Sequence, residues 1–131
     1  MFSSQRRQGT YIFTIAREKA GVYGGSSIEW VVGYLDYQNY LLFSIGRDGF
    51  QSFIVQNGNK VKHGDLVPIT NRKEYSIAVD VQSQQIETYM YDGGKWQRLQ
   101  KWDKLLENPD RGQFGFKDKV TLYSFQFANR K

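Results

Sequence analysis

The chain has 131 residues, no cysteine, and 40% hydrophobic and 16% aromatic content. This suits one folded domain and excludes a disulfide framework, a thiolate metal centre and a disordered tail; no run of ~18 apolar residues is present to form a membrane-spanning helix. The net charge is +5, but Arg6, Arg7, Arg130 and Lys131 account for four units and leave 14 basic against 13 acidic residues over 9–128, so the body offers no basic groove and a nucleic-acid partner is not expected.

Residues 1–8 are expected to be a flexible end. They lack the apolar stretch of a signal peptide, and the segment reads as a module cut from a longer protein. From there the dominant period is two, rich in β-branched and aromatic residues, which predicts strands. Residues 11–16 form the first. A loop with Gly21, Gly24 and Gly25 leads to a long strand over 27–36, with Ile28, Trp30, Val32 and Tyr34 on one face and Glu29, Val31, Gly33 and Leu35 on the other. After a turn at 36–39, residues 40–45 are apolar on both faces, as a central strand covered on each side requires. Gly46-Arg47-Asp48-Gly49 is a hairpin loop, 50–55 the returning strand and Asn57-Gly58-Asn59 a tight turn. Residues 60–70 read as loop or edge strand, since Pro68 argues against a central place.

The clearest hairpin joins 75–82 to 85–91. With Ser83-Gln84 as its turn, Val81 opposes Ile86, Val79 opposes Thr88 and Ile77 opposes Met90 on the core face. On the polar face Asp80 opposes Glu87, Ala78 opposes Tyr89 and Ser76 opposes Tyr91. Asp92-Gly93-Gly94 turns the chain into 95–101, read as a strand, and then a short helical turn near 103–107, ended by Asn108-Pro109. Residues 113–116 and 121–127 close the domain, with Tyr123, Phe125 and Phe127 on one face, and 129–131 are a basic end. About eight to ten short strands with regular turn signals, and at most one short helical turn, predict an all-β, two-sheet antiparallel β-sandwich or a barrel over 9–128.

Several passages carry a resemblance. Asp36-Tyr37-Gln38-Asn39-Tyr40, set between two strands, resembles the Asp-x-x-Asn-Tyr passage of concanavalin A-like sandwiches, and Asn57-Gly58 resembles the turn that follows it. Tyr91-Asp92-Gly93-Gly94-Lys95-Trp96 is similar to their late hairpin. Gly112-Gln113-Phe114-Gly115-Phe116, followed by an aromatic strand, is similar to their closing signature. The resemblance spans roughly 9–128 and implies the jelly-roll fold of laminin-G-like, pentraxin-like and glucanase-like members. It further implies a lectin-like, carbohydrate-binding role, a bacterial and extracytoplasmic setting, and other domains on a longer chain.

Glycosidases of this fold carry carboxylates alternating along one strand, because hydrolysis needs an acid and a nucleophile or base at fixed separation. Glu29 has no acidic partner at Val31 or Gly33, so no catalytic residue is assigned, and a minimal glycoside hydrolase stands only as a third alternative. The candidate ligand-binding residues are Tyr89, Tyr91, Trp96, Asp80, Glu87 and Gln82. Aromatic faces beside hydrogen-bonding groups suit sugar rings and their hydroxyls; the ordinary explanation is that such rings close the back of a sheet. Asp80 and Glu87 as opposed like charges invite a reason, either a calcium ion or ligand hydroxyl or screening by a neighbouring lysine or arginine. Asp36, Asn39 and Asp48 are a further loop set that calcium could use if adjacent, although turn chemistry alone accounts for them. His63 reads as a surface-loop residue, and Lys60, Lys62, Arg72 and Lys73 as a solvated basic edge. The sequence thus leads to a non-catalytic glycan-binding module without a required cofactor, with a protein-interaction or sensory domain as the alternative.

Overall fold

The computed structural model describes residues 8–17, 28–69, 72, 74–102, 112–117 and 120–129. These form ten strands: β1 (Gly9–Arg17), β2 (Ile28–Asp36), β3 (Asn39–Gly46), β4 (Gly49–Gln56), β5 (Asn59–Val67), β6 (Glu74–Val81), β7 (Ile86–Asp92), β8 (Lys95–Trp102), β9 (Gln113–Lys117) and β10 (Val120–Asn129). They build two antiparallel five-stranded sheets, ordered β10-β1-β6-β7-β8 and β5-β4-β3-β2-β9. The described residues contain no helix, and the helical turn expected near 103–107 lies outside them.

Alternation puts one side of each strand into the space between the sheets. Tyr11, Phe13 and Ile15 of β1 and Ile77, Val79 and Val81 of β6 meet Ile28 and Trp30 of β2, Phe43 and Ile45 of β3 and Phe114 of β9, all buried. Aromatic rings run through this layer. Tyr11 stacks on Phe114 at 4.2 Å, Phe13 meets Trp30 edge-on at 5.4 Å, and Phe43 lies between Trp30 and Trp102 at 5.8 and 5.3 Å. β3 is central in its sheet, and Leu42, on its outer side, is also buried, as the doubly apolar pattern of 40–45 predicts. The hairpin register matches the sequence expectation at Asp80–Glu87, Ala78–Tyr89 and the three core pairs.

Register slips in β2, β10 and β8 break the alternation, and β5 slips as well opposite Phe50 to Ser52. Gly33, at φ 63°, lies where β2 slips against both neighbours. Tyr34 therefore leaves the core side on which strict alternation placed it and meets Tyr40 on the outer face, ring to ring at 5.4 Å. In β10, Ser124 opposes Thr14 but Leu122 opposes Ile15, so Tyr123 is the extra residue and is 59% exposed while Leu122 packs on the core. The predicted row Tyr123–Phe125–Phe127 is corrected to Leu122–Phe125–Phe127. In β8 the slip falls at Leu99, which leaves Trp96 and Arg98 facing out and turns Gln100 and Trp102 in.

The side of the sandwich bounded by β5 and β8 is closed by polar groups. Ser52 is fully buried, and its Oγ lies 2.9 Å from the His63 carbonyl and 2.8 Å from Gln100 Oε1, while Gln100 Nε2 donates to the same carbonyl at 3.3 Å. Ser52 and Gln100 belong to different sheets, so this contact crosses the core. His63 is no loop residue: it sits on β5 with its ring 4.1 Å from that of Trp102, edge-on. Burial there pushes its pKa down and favours the neutral imidazole.

Candidate functional site

All six candidate residues belong to the β6–β8 part of the first sheet, and five of them share its outer face through the register. Asp80 opposes Glu87, Ala78 opposes Tyr89, and Tyr91 opposes Trp96 across the Gly93-Gly94 turn. Gln82 follows the end of β6, where its amide N–H donates to the Gln85 carbonyl at 2.8 Å and its Nε2 donates to Asp80 Oδ2 at 3.2 Å.

The opposed carboxylates are each held by protein donors. Asp80 is only 9% exposed, and its Oδ1 accepts from Thr10 Oγ1 at 3.2 Å. Glu87 Oε1 accepts from Gln85 Nε2 at 2.8 Å, and Oε2 accepts from the Tyr89 hydroxyl at 2.6 Å and lies 3.5 Å from Arg98 Nη1. Lys101 stands opposite Glu87 on the other side. The Tyr89 hydrogen bond, helped by Arg98, Lys101 and Gln85, holds Glu87 below the usual glutamate range although desolvation pushes it up. The same hydrogen bond, then burial, raises Tyr89. At neutral pH this end of the face presents an ionised, acceptor-only carboxylate beside a phenol and two amides. Screening by Arg98 and Lys101 accounts for the paired charges. Among the described residues no group of three or more His, Asp or Glu side chains gathers to hold a metal ion.

The other end of the face is aromatic. Tyr91 and Trp96 are each 43% exposed and meet edge-on at 5.3 Å. Between Glu87 and Tyr91 the strand advances about 13 Å, from a rise of ~3.3 Å per residue. Arg72, outside the strands, braces this end: its Nη2 pairs with Asp92, its Nη1 donates to the Tyr91 carbonyl at 3.3 Å, and its amide donates to Tyr75 Oη at 2.8 Å. Arg98, Thr10 and Gln85 were not singled out from the sequence, and Arg72 only as part of a solvated basic edge. Arg98 had a signal, since it alternates with Trp96; Arg72 and Thr10 reach the site only through tertiary contact.

Other expectations are corrected. Asp36 and Asn39 lie at one end of β3 and Asp48 beyond the other, about 23 Å away along the strand, so they are not adjacent. Asp36 Oδ1 instead accepts from the Gln38 amide at 2.8 Å and Asn39 Nδ2 at 3.0 Å, ordinary Asx-turn bonding. The basic set is also split. Lys60 and Lys62 lie on β5, Arg72 lies outside the strands and pairs with Asp92 of the other sheet, and Lys73 falls outside the described residues. The outer face of the second sheet has its own rings, Tyr34, Tyr40 and Phe53, with Lys60 Nζ 4.3 Å above Phe53.

No family model matches the chain, and no curated protein matches its sequence. Solved structures do match. A carbohydrate-binding module, CBM66 from Bacillus subtilis, superposes with a TM-score of 0.70 at 16% identity, over 92% of this chain and 74% of that one. Sheep galectin-11 gives 0.64 at 8% identity, over 96% and 94%. A GH43 protein, a BlXynB mutant from Bacillus licheniformis, gives 0.67 at 12% identity; 95% of this chain corresponds to only 28% of that one. The chain shares with these structures the two-sheet antiparallel β-sandwich fold, a jelly roll. Within that jelly roll, the acidic and aromatic candidates line the outer face of the sheet that contains β6, β7 and β8.

Proposed function

We propose that the chain is a non-catalytic carbohydrate-binding module whose ligand lies along β7 on the outer face of the first sheet. The observation that carries this reading is the placement, on one sheet, of a half-exposed Tyr91–Trp96 pair together with an ionised Glu87 bonded by Gln85 and, opposite it, Asp80 bonded by Gln82. A sugar presents apolar C–H surface to a ring and hydroxyl donors to a carboxylate, and this face offers both partners within one strand's length. Asp80 and Glu87 face each other, but each is committed to protein donors and one is paired with Arg98. That is binding chemistry rather than the unequal acid–base pair that hydrolysis requires. The carbohydrate-binding module and the galectin among the similar folds support the reading.

The test is a glycan array with the purified chain, followed by calorimetry on the best ligand with Trp96→Ala and, on the opposite sheet, Tyr40→Ala. The expected result is binding that Trp96→Ala weakens at least tenfold and Tyr40→Ala leaves intact. Loss through Tyr40→Ala alone would move the site to the other face. Absence of any glycan ligand would leave the exposed aromatics to a protein partner, the alternative reading.

A further inference from the structure

The 14 basic and 13 acidic residues of 9–128 nearly cancel in number, but on the outer face of the first sheet they lie at different depths. Asp80 is 9% exposed and the Glu87 side chain 15%, and protein donors already serve both carboxylates. The cations beside them stand clear, as long basic side chains do when they keep their charged heads in water. The Arg98 side chain is 54% exposed. Lys101 is exposed too, and the ion pairs among the described residues, Arg72–Asp92 and Arg98–Glu87, do not include it. The surface that a ligand meets along β8 is therefore positive although the residue count is even. Glu74, an exposed acid, stands at the far end of β6, about 20 Å from Asp80 along the strand.

The bulge at Leu99 sets this row. Before it Trp96 and Arg98 face out; after it Lys101 does, where regular alternation would have turned Lys101 to the core side. An exposed ring and two cations thus share one face of an edge strand, within about 16 Å. On β7 alongside, Tyr91 opposes Trp96, Tyr89 opposes Arg98 and Glu87 opposes Lys101. The ion pair of Arg98 with Glu87 is a single approach of Nη1 at 3.5 Å, which leaves the other N–H donors of its fork for an outside anion. β5, tied to β8 across the core by the Ser52–Gln100 bond, adds Lys60 and Lys62 against Asp65 on the same side of the sandwich and extends the positive field.

We infer that the ligand of this face is an acidic glycan, an inference that rests on the carbohydrate reading above: a sugar ring stacks on Trp96 while carboxylate or sulfate groups along the chain pair with Arg98 and Lys101. A sugar acid brings both chemistries that the two rows offer, an anion for β8 and hydroxyl donors for the carboxylate of Glu87 on β7. A DNA strand brings phosphate at every step and no hydroxyl along its length to meet Glu87, so it suits only one of the rows.

The experiment is calorimetry of the whole chain with polygalacturonate, its neutral methyl ester, a sulfated galactan, the unsulfated galactan and a single-stranded DNA. Wild type is compared with Arg98→Gln, Lys101→Gln and Arg47→Gln. Arg47 is exposed in the β3–β4 turn of the second sheet, so its loss removes the same charge away from this face; circular dichroism checks each fold. Wild type is expected to bind an acidic polymer on the order of tenfold or more tighter than its neutral counterpart, and less tightly as salt is raised. Arg98→Gln and Lys101→Gln should each remove most of that preference, and Arg47→Gln should not. The two acidic polymers distinguish a carboxylate from a sulfate. Equal affinity for acidic and neutral chains, or an equal loss with Arg47→Gln, would overturn the inference and leave the carbohydrate reading standing. Failure of both acidic polymers, or binding of DNA in their place, would overturn it as well, and the glycan array then decides the carbohydrate reading separately.

Discussion

Tyr89 donates its hydroxyl proton to Glu87 Oε2 at 2.6 Å, two residues back on the same strand and the same face. That bond lowers Glu87 and raises Tyr89. A depressed glutamate contributes stability that is present above its unfolded value, about 4.3, and lost as pH falls through the folded value. A raised tyrosine contributes stability that is lost as pH climbs through its folded value, above about 10. Tyr89→Phe is therefore expected to cost about 1 kcal/mol at pH 7, with the difference from wild type vanishing in acid. Urea denaturation at pH 7 and at pH 3 reads it directly, and NMR titration of Glu87 should show its pKa rising towards the ordinary range. An equal cost at both pH values would mean the phenol acts by packing alone.

The contact between Ser52, fully buried, and Gln100, partly buried, joins the two sheets. Ser52→Ala leaves Gln100 Oε1 without that donor in the core, an expected loss of about 1–3 kcal/mol. Gln100→Met removes the amide and its bond to the His63 carbonyl as well. The double variant should cost clearly less than the two single losses together, because the second change removes the group that the first left unsatisfied. Strict additivity in chemical denaturation would show that the two side chains do not communicate.

Strand number, hairpin register and the pairing of Asp80 with Glu87 were legible in the sequence because period-two patterning and turn residues act locally. The exceptions in side-chain facing share one cause. Tyr34 and the inward turn of Gln100 follow a bulge and Tyr123 is itself the inserted residue, and one inserted residue inverts every side chain beyond it. Gly33 was visible as a glycine inside a strand, a known mark of a bulge; nothing local marked Tyr123 or Leu99. The aromatic and acidic members of the candidate site were found because they alternate along two adjacent strands. Thr10 and Arg72 were not, since 70 residues separate Thr10 from Asp80 and 20 separate Arg72 from Asp92, and no local pattern encodes such distances.

Trp96 and Tyr91 are half-exposed, so their contribution to the core is small and any contribution to a ligand is separable from stability. Trp96→Ala is expected to weaken glycan binding at least tenfold, which corresponds to about 1.4 kcal/mol of lost stacking, while the melting temperature moves little. Arg72→Ala should weaken binding by less, since it touches the Tyr91 carbonyl and Asp92 rather than an exposed ring face. Calorimetry paired with thermal melts separates these outcomes. A Trp96→Ala chain that binds normally would remove the aromatic pair from the site.

The bulge at Gly33 exists only because another glycine lets the chain pass it. A Cβ placed on Gly112 would lie 2.2 Å from the Gly33 carbonyl carbon and 2.5 Å from the Tyr34 amide nitrogen, both backbone atoms that cannot step aside. Gly94 is the opposite case: its φ of 88° disfavours any side chain, yet a Cβ there meets nothing within 4 Å. Gly94→Ala should therefore cost only the backbone term, about 1–2 kcal/mol. Gly112→Ala must also push β9 away from β2, and is expected to cost more than 3 kcal/mol and to disturb the Tyr34–Tyr40 contact that depends on the bulge. Denaturation midpoints of the two variants, with the amide shifts of Tyr34 and Tyr40, test the ordering; if Gly94→Ala proves the more damaging, close packing at the bulge is not what fixes its geometry.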